Sequence, residues 1–481
     1  MLRDWTPHRF YQEKLCLRLL HHQIIQRSRL VVMDKSISKL YLLNLDSLLP
    51  VIKPLYPDFG RPAKNQQGII RSLVLMLDQQ EYSITKWALM AGADPLFFDL
   101  CGFEGNAPGV ASYYDLLVRL WMADHSLYLK EKRKIKGFSR KPKKKLKLNQ
   151  KLPPKRTGTV AKLVDKALVG KLRNFRPEAI LQKLLARCVV DISYQMGILG
   201  NPDELSMAHD GTAFYSGASH YGTKVCNCRS KGIFNCHCFR RYSDPDAKWG
   251  WDSYREQWFF GSTLFNVTAS DSPYDLPIYL KSVQASRHDS ITTVFALQDI
   301  EALYPNMKFK NYIADGAMDN YATYKLLKHR GITPFITLDS RTKAKFNYPH
   351  PDILCFDDKG NPICNGGIPY VSWGLSKPYR LKYRCWLSVQ GLEPPKECKC
   401  SQSSYGKTVY IKPDFDPRMF TPIPRGSNAF KEKFKTRTSV ERSNKRMFED
   451  DSIEEYDARS TMMRTSLATF SVINIHLDAW V

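Results

Sequence analysis

Alternation of apolar and polar side chains marks a set of strands in the middle of the chain. In L-S-M-A-H-D, Leu205, Met207 and His209 share one face, which predicts a half-buried strand ending at Asp210. The runs Q-W-F-F-G-S-T-L-F-N-V-T-A and L-P-I-Y-L-K-S-V-Q-A predict two more strands. S-R-H-D-S then opens a helix over Ile291 to Leu303, with Asp289 or Ser290 as N-cap. F-K-N-Y-I-A-D-G is a strand that runs into Asp315 and a turn. A helix over Tyr321 to Arg330 and a strand I-T-P-F-I-T-L-D follow, with Asp319 a candidate cap. Three strands, a helix, a strand, a helix and a strand predict a mixed α/β layer.

The flanks have other periods. Residues 1–58 read as helical, with an apolar run near Leu40 to Ile52, and Gly60-Arg61-Pro62 breaks the chain. Short apolar runs at helical spacing, such as I-I-R-S-L-V-L-M-L-D and V-A-S-Y-Y-D-L-L-V-R-L-W, predict a compact helical module up to residue 125. A DNA-end-binding role and a packing or dimerisation role both fit it. From Leu163 to Gly200 the pattern is helical again. From Ser340 to Ser427, Pro, Gly, Cys and aromatics crowd together, and Y-R-L-K-Y-R-C-W and T-V-Y-I-K predict short strands. F-K-T-R-T-S-V-E-R-S-N-K-R and the terminal run return to helix. The division is a helical N-terminal domain 1–125, a basic linker 126–160, the first part of an α/β core 161–339, a β-rich, cysteine-containing insertion 340–427 and C-terminal core helices 428–481.

Charge narrows the function. The formal net charge is +25, a surplus that points to a polyanionic partner, with nucleic acid ahead of a membrane surface. Lys130 to Arg156 is a run of lysine and arginine broken by Pro142, Pro153 and Pro154; it carries too little apolar surface to fold alone. As a phosphate-backbone contact, with Lys143, Lys144 and Lys145 at its centre, it would position DNA without reading sequence. No uncharged apolar run is long enough to span a bilayer, and the first residues lack the apolar core of a signal peptide. A cytoplasmic, reducing setting is therefore expected, and the 12 cysteines read as thiols or metal ligands rather than disulfides.

Three carboxylates carry the candidate chemistry. Asp210 and Asp315 each close a strand-like run and lead into a glycine. Each has a plainer role open to it, capping the turn that follows. Glu441 lies between Arg437 and Lys445 at four-residue spacing, on one helix face, where a solvated salt-bridge ladder is the plainer account. If the first and fourth strands are parallel neighbours, Asp210 and Asp315 come side by side, and a helix returning across the sheet brings Glu441 to them. Carboxylates that close repel one another and call for cations. Hard oxygen ligands suit Mg²⁺ or Mn²⁺, and two such ions support phosphodiester cleavage.

These segments resemble the DDE transposases of bacterial insertion sequences. H-D-G-T-A matches the strand of the first aspartate, Y-I-A-D-G-A-M-D-N that of the second, and R-T-S-V-E-R-S-N-K-R the glutamate helix. The resemblance runs from Gly60 almost to the C-terminus. It implies an RNase H-like mixed-sheet core, catalysis by Asp210, Asp315 and Glu441 with two Mg²⁺ or Mn²⁺ ions, and strand cleavage and transfer at the ends of the chain's own mobile element. Arg437 would orient Glu441 or contact phosphate. The family's tyrosine and distal lysine positions hold Phe434 and Phe448 here, so Arg442 or Lys445 would grip DNA instead. Double-stranded DNA, a homodimer on DNA, no membrane and a nucleoid-associated prokaryotic setting follow from the same resemblance. A nuclease without strand transfer and a non-catalytic DNA-binding protein of the same fold are the alternatives.

Cysteines form a second constellation. C-N-C-R-S-K-G-I-F-N-C-H-C supplies Cys226, Cys228, Cys236 and Cys238, enough for a structural Zn²⁺. Cys364, Cys385, Cys398 and Cys400 offer a second set in the insertion. Trp249, Trp251 and Trp258 follow the first set. They suit either a core or stacking on an unpaired base.

Overall fold

Apolar residues on every face bury the Gln66–Asp78 helix, which anchors the N-terminal part of the chain. Shorter helices pack around it, and their ends are set by local chemistry. Asp94 Oδ1 accepts from the N–H groups of Leu96 and Phe97 at 3.0 and 3.1 Å and starts the Pro95–Cys101 helix. Gly102, at φ +70°, ends it in the left-handed conformation that glycine adopts without strain. The computed structural model describes the chain apart from residues 3, 122–133, 137–157, 174–176, 340–347, 378, 394 and 396–402, and gives the backbone alone for 134–136.

The strands, in chain order, are β1 (Lys134–Lys136), β2 (Leu205–Tyr215), β3 (Thr223–Lys224), β4 (Phe239–Arg241), β5 (Lys248–Asp252), β6 (Gln257–Ala269), β7 (Pro277–Gln284), β8 (Phe309–Ala314) and β9 (Thr333–Ile336). Long β6 pairs antiparallel with β2 on one edge, and with β5 and then β7 along the other. β2 pairs parallel with β8, and β8 parallel with β9. The order is therefore β7-β6-β2-β8-β9, with β5 prolonging the β7 edge. The helices Asp289–Leu303 and Tyr321–His329 connect β7 to β8 and β8 to β9. The second of these joins parallel neighbours, which need such a crossover. This is a mixed α/β architecture.

Ala208, Ile313, Phe335, Phe430 and Val440 form one apolar cluster, so the helices Asn428–Lys435 and Thr438–Lys445 cover one face of the sheet. The Thr461–Trp480 helix lies between the N-terminal helices and the sheet. Asn474 Nδ2 donates to Val74 O at 2.9 Å, and His476 meets Pro277 O at 2.8 Å. One continuous core runs from Tyr11 to Leu477. Among the described residues, no helix is long and apolar enough to cross a membrane.

Strands Tyr370–Ser376, Arg380–Cys385 and Thr408–Ile411 form a separate antiparallel sheet with a core of its own, around Tyr370, Leu381, Tyr383 and Ile411. Buried Arg418 ties the segment after it to the main sheet through both oxygens of Asp319, at 2.9 and 2.7 Å. Asp319 is thereby committed, and Asn320 caps the Tyr321–His329 helix instead, accepting from the Thr323 N–H at 3.0 Å. The cap of the Asp289–Leu303 helix is likewise His288, not Asp289 or Ser290. β2 also continues past Asp210 to Tyr215, because β6 pairs with it without a break from Met207 to Tyr215.

Candidate active site

Register sets the first two aspartates at neighbouring positions of adjacent strands. Met207 pairs with Tyr312 and Ala208 with Ile313. Two residues further, the same register sets Asp210 level with Asp315. Side chains alternate along a strand, so Asp210 shares its face with Ala208 and Thr212. That is the face under the Glu441 helix. Asp315 sits just past the end of β8 and accepts the Ala317 N–H at 2.9 Å, so it caps its turn as well.

The Glu441 helix is fixed to the sheet by small polar side chains. Asn266 Nδ2 donates to Ser443 Oγ at 2.7 Å and to Asn444 Oδ1 at 2.9 Å. Asn444 Nδ2 donates to Thr212 Oγ1 at 2.7 Å, and Thr268 and Ser439 hydroxyls lie 3.0 Å apart. Asn266 is the β6 partner of Asp210. Val440 is fully buried, while Glu441 beside it is exposed and paired with Arg437 one turn earlier.

Electrostatics identify a residue that the pattern of strands and helices did not single out. Asp210 is pushed up to about 6, first by burial and next by Asp289; the Gly211 N–H and Arg437 pull it back, and Asp315 adds a smaller push. Asp289 is also raised to about 6, by burial and then by Asp315. Asp289 opens the helix after β7, and its oxygens lie beside Gly211. Its one sequence signal was acidity at the start of a helix, which a capping role explained as well.

Not everything converges. Among the described residues, Cys226, Cys228, Cys236 and Cys238 are the one group whose metal-ligand atoms all lie within 4.8 Å of one another. Asp210, Asp315 and Glu441 do not form such a group: Glu441 turns to Arg437, and Asp315 accepts from the Ala317 N–H. Arg442 is already held by Asp275 through two contacts, 2.7 and 2.6 Å, and braces its helix against the turn between β6 and β7. Lys445 lies 3.7 Å from Glu449 and is largely exposed. Phe448 packs edge-on against Phe214 at 5.1 Å, and Phe434 stacks on Phe430 at 5.7 Å. Lys143, Lys144 and Lys145 lie outside the described residues.

The two cysteine sets part company. The first clusters as above. In the second, Cys364 and Cys385 are buried in the core of the separate sheet. Cys398 and Cys400 lie outside the described residues. The tryptophans are not core: Trp249, Trp251 and Trp258 are 47, 53 and 65% exposed on the β5–β6 hairpin.

No family model and no curated protein matches this chain. A cryo-EM structure of a piggyBac transposase synaptic complex with hairpin DNA is similar to it at 12% identity, over 92% of this chain and 73% of that one, with a TM-score of 0.33.

Proposed function

We propose that this chain is a transposase-type enzyme: a divalent-metal-dependent phosphoryl-transfer enzyme that cuts DNA and rejoins it at the ends of its own insertion element. The observation that carries the reading is the parallel pairing of β2 with β8, which sets Asp210 level with Asp315 on the face covered by the Glu441 helix. The sheet is then an RNase H-like core, and the small separate sheet an insertion between its last strand and the Glu441 helix.

The donor set fits a hard cation. It offers carboxylate oxygens, and two of the carboxyls are raised to about 6 by burial and by their acidic neighbours, a cost that a divalent ion would relieve. Asp210, Asp315 and Glu441 would hold Mg²⁺ or Mn²⁺, while Asp289, on the Gly211 side of the strand, adds negative charge close to Asp210. Two bound ions supply activation of a water or 3′-hydroxyl and stabilisation of the leaving oxygen. Arg437, the cation acting on both Asp210 and His209, pairs with Glu441 and offers a guanidinium to a phosphate. The net charge of +25 draws the duplex to the protein. The protein acts as a homodimer on DNA in this reading.

The test is a labelled duplex carrying the DNA that flanks the gene, incubated with purified protein and Mg²⁺ or with chelator. Metal-dependent cleavage that leaves a 3′-hydroxyl, followed by joining to a second duplex, is expected. Cleavage without joining would reduce the enzyme to a nuclease. Absence of cleavage with either Mg²⁺ or Mn²⁺ would overturn the reading.

A further inference from the structure

The segment from Thr223 to Arg241, between β2 and β5, has no apolar core. None of its residues is buried, and its large apolar side chains Val225, Ile233, Phe234 and Phe239 are all exposed. It nevertheless holds a defined fold: β3 pairs with β4, a helical turn spans Arg229–Lys231, and β1 adds a third strand to β4. So small a unit needs a staple in place of a core.

The sulfurs provide the geometry for one. Cys226 and Cys236 Sγ are 3.5 Å apart, as are Cys228 and Cys238 Sγ, and all four lie within 4.8 Å of one another. A disulfide needs about 2.05 Å. Four thiolates on zinc, each at about 2.3 Å, stand about 3.8 Å from one another at the corners of a tetrahedron. Two ligands come from each arm of the segment, so one ion closes both. Zinc with four thiolates carries a net charge of −2, and Lys224, Arg229, Lys231, Arg240 and Arg241 lie in the same segment.

We infer that Cys226, Cys228, Cys236 and Cys238 hold one tetrahedral zinc ion, and that the lobe it fixes, next to the strand of Asp210, presents its lysines and arginines to DNA phosphates. Binding converts four thiols to thiolates and releases their protons to solvent; nothing is oxidised or reduced. The zinc site stands on the sulfur geometry alone, whereas the DNA contact rests on the function proposed above.

Metal analysis of the purified protein reads the first half. One zinc per chain is expected, falling to none in Cys226→Ser/Cys236→Ser and staying at one in Asp210→Asn. Cobalt in place of zinc should give thiolate-to-metal charge transfer and a tetrahedral visible spectrum. No zinc in wild type, zinc retained by the double variant, octahedral cobalt, or an intact mass four hydrogens short, as two disulfides would give, would each overturn the site. For the second half, DNA affinity is measured in Mg²⁺ for Cys226→Ser/Cys236→Ser and for Arg229→Ala/Lys231→Ala, which keeps all four cysteines. Both should bind DNA several-fold more weakly. Unchanged affinity in the arginine–lysine variant would overturn the DNA contact and leave the zinc site standing. DNA cleavage in wild type reports separately on the enzyme.

Discussion

The Asp289 carboxylate rests against Gly211, the residue after Asp210: a Cβ on residue 211 would stand 2.8 Å from its Oδ1 and 3.0 Å from Thr263 Cγ2. Glycine is therefore required here for the closeness of an acidic neighbour, not for an unusual backbone. Gly211→Ala should displace Asp289, and Asp289→Asn should remove its charge without moving it. Both are expected to slow DNA cleavage by about 10–100-fold, the scale of losing a group that supports a metal site. DNA affinity should stay near wild type in both. Wild-type cleavage by Asp289→Asn would leave Asp289 as no more than an acid in the first turn of a helix.

Buried His476 should make stability depend on pH. Pro277 O can only accept, so Nε2 carries the proton at 2.8 Å, and Nδ1 accepts from Ser193 Oγ at 2.8 Å. The Trp480 indole N–H donates to the same hydroxyl at 2.9 Å. Burial lowers the imidazole to about 4. The unfolded chain takes up the proton near 6.5 and the folded chain resists it, so the contribution is complete above 6.5 and is lost as pH falls toward 4. From pH 6.5 to 5 the loss should be roughly 1.5 kcal/mol. Urea unfolding across that range, beside His476→Gln, checks it. An equal slope in the variant would contradict the assignment.

Arg464 and Asp244 form a buried pair at 2.7 Å, with side chains 0% and 1% exposed. Asp244 also accepts from Ser216 Oγ at 2.9 Å and Thr461 Oγ1 at 3.2 Å, which joins the end of β2 to the last helix. Asp244→Ala strands a guanidinium in the core and should cost about 3–5 kcal/mol in denaturant unfolding. A loss below about 1 kcal/mol would mean that the arginine reaches water or a new partner.

Lysines 143–145 should act on affinity alone. Replacing Lys143, Lys144 and Lys145 with alanine removes up to three phosphate contacts, which lowers the slope of log affinity against log salt by about 3 at most. The loss should be equal on element-end and random DNA. A loss confined to end DNA would mean that the segment reads sequence.

Much of the sheet was legible because its strands keep a period of two or form short apolar runs, and because Asp-Gly follows both candidate strands. Their pairing was legible only as a condition, since parallel neighbours are set by long-range packing. Asp210 was misjudged as a strand end because Asp-Gly mimics a turn where β6 in fact continues the ladder. Asp289 was read only as a helix cap, because its environment comes from Gly211 and Asp315, residues far from it in sequence. Arg442 looked free for DNA, and its partner Asp275 lies 167 positions away. The cysteine quartet was readable from spacing, whereas Cys364 and Cys385 are thiols whose burial no spacing announces.

Cleavage of a labelled element end by Glu441→Gln tests the central claim most directly. The substitution removes one negative charge at nearly constant shape and breaks the ion pair with Arg437. If Glu441 serves the metal site, cleavage and strand transfer should fall by about 100-fold or more, while affinity for the same DNA and the unfolding midpoint stay near wild type. Mn²⁺ should restore more activity than Mg²⁺, which tolerates a damaged octahedral site poorly. If Glu441 only neutralises Arg437 on an exposed helix, the change costs under about 1 kcal/mol of stability and cleavage continues at the wild-type rate. That second result would contradict the account.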